Sequence, residues 1–288
     1  MGPLLRAPQV IVVDNASSDG SAGMVGSEFP QVSLIANAAN RGFAAANNQG
    51  LRCAKGRYLL LLNPDTLILD RAIDKAVAFL DQELDIGVMG CQVLETPQRI
   101  QRTCFAFPSP VNILLEQTAL SSAFPHSRIF GRAWMGWWDR TSLRDVDVVS
   151  GMFMLVRRTA MEHVGLMDEA YFVYAEEADW CYRFWKVGWR CVFAPVAQII
   201  HLDGGGNSTR LASARMYVQL QKSLLYFHRK HYGWMAWMAV RFLYACSSAA
   251  RVLSFGVLAL LKRAETVRHR RNQAVAALKY QLFGVQPQ

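Results

Sequence analysis

Between residues 10 and 202 one pattern recurs: a short apolar run, a polar turn, then a span with helical spacing. Residues 10–13 (VIVV) are apolar and β-branched, as in a strand covered on both faces. They end at Asp14-Asn15 and a Ser/Asp/Gly turn that opens a helix near Ser21. Residues 32–36 read as a second strand, and 42–55 as an Ala-rich helix stopped by Gly56. Residues 58–62 (YLLLL) form a further buried strand ending at Asn63-Pro64-Asp65. Asp70 is placed to cap a helix reaching about Leu80, and 86–91 is a strand again. A strand at 146–156 around Ser150-Gly151, a helix at 175–187 closed by Gly188 and a strand at 189–194 complete the series, with His201 shortly after. Such alternation predicts an α/β fold with a mainly parallel sheet. In such sheets ligands bind beyond the carboxyl ends of the strands, and Asp14 and Asp65 both follow strand ends. Residues 96–145, with Pro97, Pro108, Pro110 and Pro125 and a patch of Trp134, Trp137 and Trp138, read as irregular.

The 288 residues suffice for one large domain, or one domain with an appendage. At 52% hydrophobic and 18% charged, the chain is neither disordered nor a disulfide-stapled miniprotein. Cys53, Cys91, Cys104, Cys181, Cys191 and Cys246 form no CxxC pair, which argues against a structural zinc site and fits a reducing compartment. The net charge of +9 is concentrated: residues 207–288 carry 13 Lys and Arg against Glu265 alone, and residues 1–206 carry 18 against 21 acids. A nucleic-acid enzyme more often keeps its basic surface around its cleft. Here the basic tail stands apart from the candidate chemistry, so an anionic membrane surface is the expected partner and nucleic acid is not. MGPLLRAPQ is too short for the apolar part of a signal peptide, and MGPLLR lacks the Ser or Thr of a myristoylation site.

Residues 209–288 read as a helical extension of a domain spanning 1–208. Residues 234–261 are apolar but interrupted by Arg241 and Arg251, leaving uncharged stretches shorter than the ~20 residues that span a bilayer. A helix or hairpin lying in the interface, backed by Lys262, Arg263, Arg268, Arg270 and Arg271, is one reading. An amphipathic subdomain packed on the main domain is the other.

Taken singly, the candidate residues are ambiguous. Asp65 at a strand end suits a hard divalent cation, yet Asn-Pro-Asp-Thr is also ordinary turn and cap chemistry. Asp14 suits a nucleotide base or ribose, or a helix cap. Glu176, Glu177 and Asp179 fall within one turn, where a helix N-terminus favours negative charge. Repulsion between neighbouring carboxylates also raises the proton affinity of one of them, as a general base requires. His201 is either a loop histidine or a neutral imidazole completing a metal site with Asp65.

In order, VIVVDNASSDGS, NRGFAAANNQG, GRYLLLLNPDT, VSGMFMLVRR, FVYAEEADWCYR and HLDGGGNST resemble the successive motifs of glycosyltransferase family 2, most nearly its rhamnosyltransferase-like branch. The resemblance covers about residues 10–210. It implies a GT-A fold, a Rossmann-like nucleotide-diphospho-sugar transferase sheet. It also implies a nucleoside-diphosphate sugar donor, a glycan or lipid-linked acceptor, and inverting transfer assisted by Mg²⁺ or Mn²⁺. The setting implied is cell-surface polysaccharide synthesis at the inner face of the cytoplasmic membrane. Asp65 then matches the last acid of the family's metal motif, with Asn63 in place of the first, and His201 joins the metal. Asp14 matches the contact to the base, and Asn15, Asn40, Gly42, Asn63, Asp65 and Ser208 fall on the donor side. Glu177 matches the general base, with Glu176 and Asp179 completing the catalytic group, and Gly151 lines the acceptor side. The loop 204–208 is expected to close over the diphosphate.

The family usually opens with a further strand and helix, whereas nine residues precede Val10 here. The expectation is an N-terminally truncated chain with an open strand edge, half a base pocket and poor activity or stability. Two other functions fit the sequence: an inactive membrane-docked scaffold derived from such an enzyme, and a nucleotidyltransferase.

Overall fold

The strand Ile86–Thr96 buries its first eight residues, so both its faces are covered and it lies at the centre of a sheet. The computed structural model describes residues 8–96, 99–202, 213–261 and 265–287. Packing divides the chain into two compact units: residues 1–105 with 139–205, and residues 106–138 with 206–288.

The α/β unit begins with β1 (Ile11–Asp14), α1 (Ser21–Glu28), β2 (Ser33–Ala36), α2 (Phe43–Cys53), β3 (Tyr58–Leu62), β4 (Thr66–Ile68), α3 (Ala72–Gln82), β5 (Ile86–Thr96), β6 (Arg99–Ile100) and β7 (Cys104–Phe105). The chain runs through α4 (Pro110–Gln117) and α5 (Leu120–Ala123) of the helical unit. It returns to the α/β unit with β8 (Arg144–Asp145), β9 (Val148–Val149), β10 (Phe153–Arg157), α6 (Arg158–Val164), α7 (Glu176–Lys186) and β11 (Arg190–His201). Three long helices complete the helical unit: α8 (Ala214–His231), α9 (Gly233–Leu261) and α10 (Glu265–Phe283).

Among the described residues the main sheet has the order β3-β10-β5-β11-β4, and β1 pairs with β2 in a separate parallel pair. The sheet is mixed, which corrects the expectation of a mainly parallel one. β10 runs antiparallel to both β3 and β5, and β4 antiparallel to β11, while β11 is parallel to β5. Apolar runs report burial but not direction, and β10 reaches its slot only after the excursion through residues 106–138. The core is built from Met89, Phe153, Leu155, Val192 and Ile199 of the sheet against Ala72, Ala76 and Leu80 of α3. Phe153 and its like each contribute about 1.5–3 kcal/mol by burial.

Local departures from expectation have local causes. Asp70 does not cap α3: Arg71, at φ 54°, is the cap residue, and Asp70 pairs with Lys75 instead. Residues 96–145 are not irregular throughout. Ser109 caps α4 by accepting the Asn112 N–H at 3.2 Å, and Pro110 sits at the first helical turn, where its missing N–H costs nothing. The strand expected at 146–156 is broken at Ser150–Met152 into β9 and β10. β11 runs past Ala194 to end on His201 itself.

In the helical unit Ile113, Leu225, Val240 and Tyr244 form a small core, with Leu224, Trp237 and Tyr280 packed on it. Residues 233–259 are long and apolar enough to cross a membrane by length and composition, which the count of uncharged residues alone did not suggest. Lys262 and Arg263 lie outside the described residues.

Candidate active site

Each candidate side chain of the α/β unit stands where a strand ends or a helix begins. β1 delivers Asp14, 8% exposed, whose Oδ2 accepts the Ser17 N–H at 3.2 Å. Asn15 makes a denser set of bonds. Its Nδ2 donates to Asn40 Oδ1 at 2.9 Å and to the Gly42 carbonyl at 3.3 Å, and its Oδ1 accepts from the Arg41 N–H at 2.9 Å. Asn40 Oδ1 also accepts the Gly42 N–H at 2.9 Å. Asn15, Asn40 and Gly42 therefore stand together. Gly42 has φ +85°, and a Cβ there would lie 2.3 Å from the Phe172 carbonyl, so a side chain is excluded twice over. That same carbonyl accepts the Phe43 N–H at 2.7 Å.

β3 ends at Leu62 and is followed by Asn63, whose N–H donates to the Met152 carbonyl at 3.2 Å and whose own carbonyl accepts the Thr66 hydroxyl at 2.7 Å. The turn then presents Asp65 just before β4. Antiparallel pairing sets Thr66 opposite His201. This register brings His201 Nε2 to 3.1 Å from Asp65 Oδ2, a contact rather than an aligned hydrogen bond. Asp65 Oδ1 and both ring nitrogens of His201 are buried without a hydrogen-bond partner. Such atoms are costly to leave unsatisfied. A hard or borderline divalent cation accepts a carboxylate with an imidazole, so these two residues fit one. No group of three or more His, Cys, Asp or Glu that could hold a metal occurs among the described residues, and further ligands would be substrate oxygens.

α7 opens with three acids whose environments diverge. Asp179 is fully buried, with Oδ2 accepting Arg183 Nε at 2.9 Å and Oδ1 accepting the Tyr171 hydroxyl at 3.4 Å. Arg183 in turn donates to the carbonyls of Val164 and Leu166 at 2.9 and 2.7 Å. Asp179 thus holds the loop before α7 through Arg183. Glu176 is 2% exposed and its Oε2 has no partner. Burial, and then the neighbouring Glu177, hold its carboxyl well above the ordinary carboxylate range. Glu177 is half-buried and its Oε1 accepts the Gly151 N–H at 3.1 Å. Burial raises its proton affinity, and the Gly151 N–H works against that rise.

Gly151 ties these parts together. A Cβ on it would lie 2.8 Å from Phe43 Cζ and 3.1 Å from Glu177 Oε1. Its neighbour Met152 holds Asn63. Gly42 leads directly into Phe43, so the Asn15–Asn40–Gly42 group, Glu177 and the turn carrying Asp65, with His201 of β11 beside it, are joined through one short series of contacts. Ser208 and the loop 204–208 lie outside the described residues.

Sequence reasoning missed the supports. Asn37 exchanges two hydrogen bonds with Gln49, at 2.8 and 3.0 Å, and donates to Asn15 Oδ1 at 3.3 Å. Asn48, 1% exposed, donates to the Met167 carbonyl and Glu169 Oε1 at 2.9 Å each and accepts the Met167 N–H at 3.0 Å. The signal was present: three amides in a row, Asn47-Asn48-Gln49, are out of place in an Ala-rich buried helix unless they have partners.

Residues 5–116 match the model of the family described as Glycosyl transferase family 2. An N-acetylglucosaminyl-diphospho-decaprenol L-rhamnosyltransferase of Mycobacterium tuberculosis (strain ATCC 25618 / H37Rv) is 24% identical over 240 residues, 80% of this chain and 77% of the relative. The chain is a glycosyltransferase, similar over residues 5–116 to family 2. Its likeness is to the rhamnosyltransferase-like members. The rhamnosyltransferase WbbL of Escherichia coli (strain K12) is 33% identical over 85 residues, 30% of this chain and 32% of that protein. In fold, this glycosyltransferase is similar to the crystal structure of GalNAc-T7 with UDP, GalNAc and Mn²⁺. The TM-score is 0.55 at 14% identity, over 95% of this chain and 49% of that one. The fold is GT-A, an α/β sheet of mixed direction followed in this enzyme by helices.

Proposed function

We propose that this glycosyltransferase moves a sugar, rhamnose by the likeness of its relatives, from a nucleoside-diphosphate donor to a hydroxyl of a glycan or lipid-linked acceptor. The transfer is inverting, depends on Mg²⁺ or Mn²⁺, and serves cell-surface polysaccharide synthesis. One observation carries the reading. A half-buried carboxylate, Glu177, is fixed by the Gly151 N–H, and Met152 beside it is bonded to the strand end that leads into the unsatisfied Asp65–His201 pair.

Asp65 and His201 would hold the metal, which when bound supplies charge neutralisation for a departing diphosphate. Glu177 takes the proton of the attacking acceptor hydroxyl. Its Oε1 is held on Gly151 and Oε2 is the oxygen left for that proton. Its raised proton affinity brings it closer to working pH, where a general base is most effective. Burial raises both carboxyls, and repulsion between neighbouring carboxylates favours one proton held across the pair. Asp14, with the Asn15–Asn40–Gly42 group beside it, receives the nucleoside end of the donor, and Ser208 joins the donor side. Attack from the face opposite the leaving diphosphate, in a single displacement, inverts the anomeric centre.

The helical unit supports a place on the anionic inner face of the cytoplasmic membrane. The mycobacterial relative is named for an acceptor on diphospho-decaprenol, and the same class, a lipid-linked acceptor, is proposed here. The decisive experiment is a panel of nucleoside-diphosphate sugars, a rhamnose donor among them, tested with Mn²⁺ and with chelator. Metal-dependent stabilisation by a donor is expected, with transfer lost and donor binding kept in Glu177→Gln. No donor binding under any condition would instead support a non-catalytic scaffold. Pyrophosphate release from a nucleoside triphosphate would assign nucleotidyl transfer.

A further inference from the structure

α9 is long and apolar enough to cross a membrane, yet only 11% of its apolar window is buried, so it is not the covered core helix of a bundle. One of its faces is packed. Val240 and Tyr244 are buried with Ile113 of α4 and Leu225 of α8, and Tyr280 of α10 packs on them. Both charged residues of α9 also turn to neighbouring helices. Arg241 donates to the Gln281 carbonyl at 2.9 and 2.6 Å, and Arg251 donates to the Tyr217 hydroxyl. The opposite face is bare. Met235, Met238, Phe242, Cys246, Leu253 and Val257 recur at helical spacing and are all exposed, and no exposed residue from 234 to 258 is charged. Ser254, the one exposed hydroxyl of that stretch, donates back to the Ala250 carbonyl at 2.6 Å. At 1.5 Å per residue the bare face is about 35 Å long.

The flanking helices contrast with it. α8 exposes Arg215, Lys222 and Arg229, and α10 exposes Arg268, Arg271 and Lys279. Were α9 to cross a bilayer, the helices packed along it would carry these cations into hydrocarbon, which strongly disfavours them. Lying flat, α9 sinks its bare face to the headgroup–acyl boundary while the same cations stay among the headgroups. At one end of the face Trp234 stacks on Trp237 with ring centroids 4.5 Å apart, and the Arg229 guanidinium lies 4.4 Å from the Trp234 ring. Tryptophans are the rings that settle at that boundary. A second copy of the chain fits the face less well. The helical unit carries 13 Lys and Arg from 207 to 288, together with Arg128 and Arg132, against Glu116 and Glu265. Two such units face to face repel, whereas an anionic surface attracts the charge and accepts the apolar face.

We propose that α9 lies in the plane of an anionic membrane, with its bare face sunk into one leaflet and its length not crossing the bilayer. The proposal rests on the membrane reading above and adds which face docks and how the helix is oriented.

Cys246 supplies the test, because it lies midway along the face and Cys53 is the one other exposed cysteine. A polarity-sensitive fluorophore is attached to Cys246 of the full chain carrying Cys53→Ser, with vesicles of phosphatidylcholine alone or mixed with phosphatidylglycerol. Binding to the anionic vesicles is expected, with the fluorophore quenched more by a nitroxide near the headgroup than by one at the end of the acyl chain. Stronger quenching by the deep nitroxide would mean a crossing helix and overturn the proposal. Vesicle binding that leaves the fluorophore in water would move the contact to another face and overturn it too, with the membrane reading intact. Cross-linking of Cys246 to Cys246 by a bismaleimide, persisting when vesicles are added, would give the face to a second copy. Phe242→Ser with Leu253→Ser needs no label and should weaken binding to anionic vesicles by about tenfold or more; undiminished binding would overturn the docking face. No binding of the unmodified chain to any vesicle would sink the membrane reading itself, and stabilisation of the same sample by donor keeps that failure apart from failure of the transferase reading.

Discussion

In the α/β unit the side chains drawn inward include ionisable ones: Glu176, Asp179 and His201 are exposed by 2%, 0% and 6%. In the helical unit α9 does the reverse and leaves Phe242, Leu253 and Val257 in the open. Burying acids with incomplete partners costs stability, and a site that binds a cation and moves a proton recovers that cost in function. Leaving a long apolar stripe exposed is costly in water alone and ceases to be so against lipid. Under the proposed function the two regions carry their unfavourable groups for different ligands, one polar and small, the other apolar and extended.

The sharpest way to break this comparison is at the acids. Glu177→Gln should lower transfer by about 10²–10⁴-fold, the range for losing a general base, while the shift in melting temperature caused by donor persists. Equal losses of binding and turnover would make Glu177 a donor-binding residue. Replacing His201 or Asp65 by Ala should lower turnover by about 10²–10³-fold, as for other groups that stabilise developing charge. A wild-type dependence on added Mn²⁺ or Mg²⁺ after chelation should be weakened in the same variants. Turnover indifferent to chelator would remove the metal from the account.

Smaller effects sharpen the contrast. Gly42→Ala should destabilise by about 1–3 kcal/mol through the clash with the Phe172 carbonyl, read as a lower midpoint in denaturant. Glu176→Gln should stabilise at pH 8 by about 1–3 kcal/mol, the scale for relieving a buried unsatisfied group. The sign follows from linkage. A carboxyl whose proton affinity is raised by folding favours the folded state below its unfolded pKa, and loses that advantage as pH rises through the folded value. The gap between Glu176→Gln and the parent should therefore close on acidification, and a gap that widens would refute the assignment. The acidic limb of the pH–rate profile should likewise lie above the usual carboxylate range, because burial raises Glu177. Least of all, Leu253→Ser should change solution stability by no more than about 0.5 kcal/mol, as for an exposed position, while weakening vesicle binding.

Much of the α/β unit was legible because the signals are local. YLLLL reads as a buried strand from its own residues, and the turns after VIVV and YLLLL mark strand ends. Asp14, Asp65, Glu177 and His201 could be named as candidates for the same reason. Direction of pairing was not legible: whether β10 runs with or against β3 depends on where the chain goes between residues 97 and 152. Helix α4 was missed because Pro110 reads as a breaker unless Ser109 is recognised as its cap.

The order of the motifs, the acids at strand ends and the concentration of positive charge after residue 206 were set by the sequence alone, since each is a matter of which residues are neighbours along the chain. Only the tertiary structure separated the three acids of α7, giving Asp179 to Arg183, leaving Glu176 unpartnered and setting Glu177 on Gly151. It alone brought His201 to Asp65 across the pairing of β4 with β11, and turned the arginines of α9 inward. Proton affinity, metal fit and the choice of exposed face all depend on what stands within a few ångströms in space, and contacts between residues more than a hundred positions apart are fixed only when the sheet and the helices have packed.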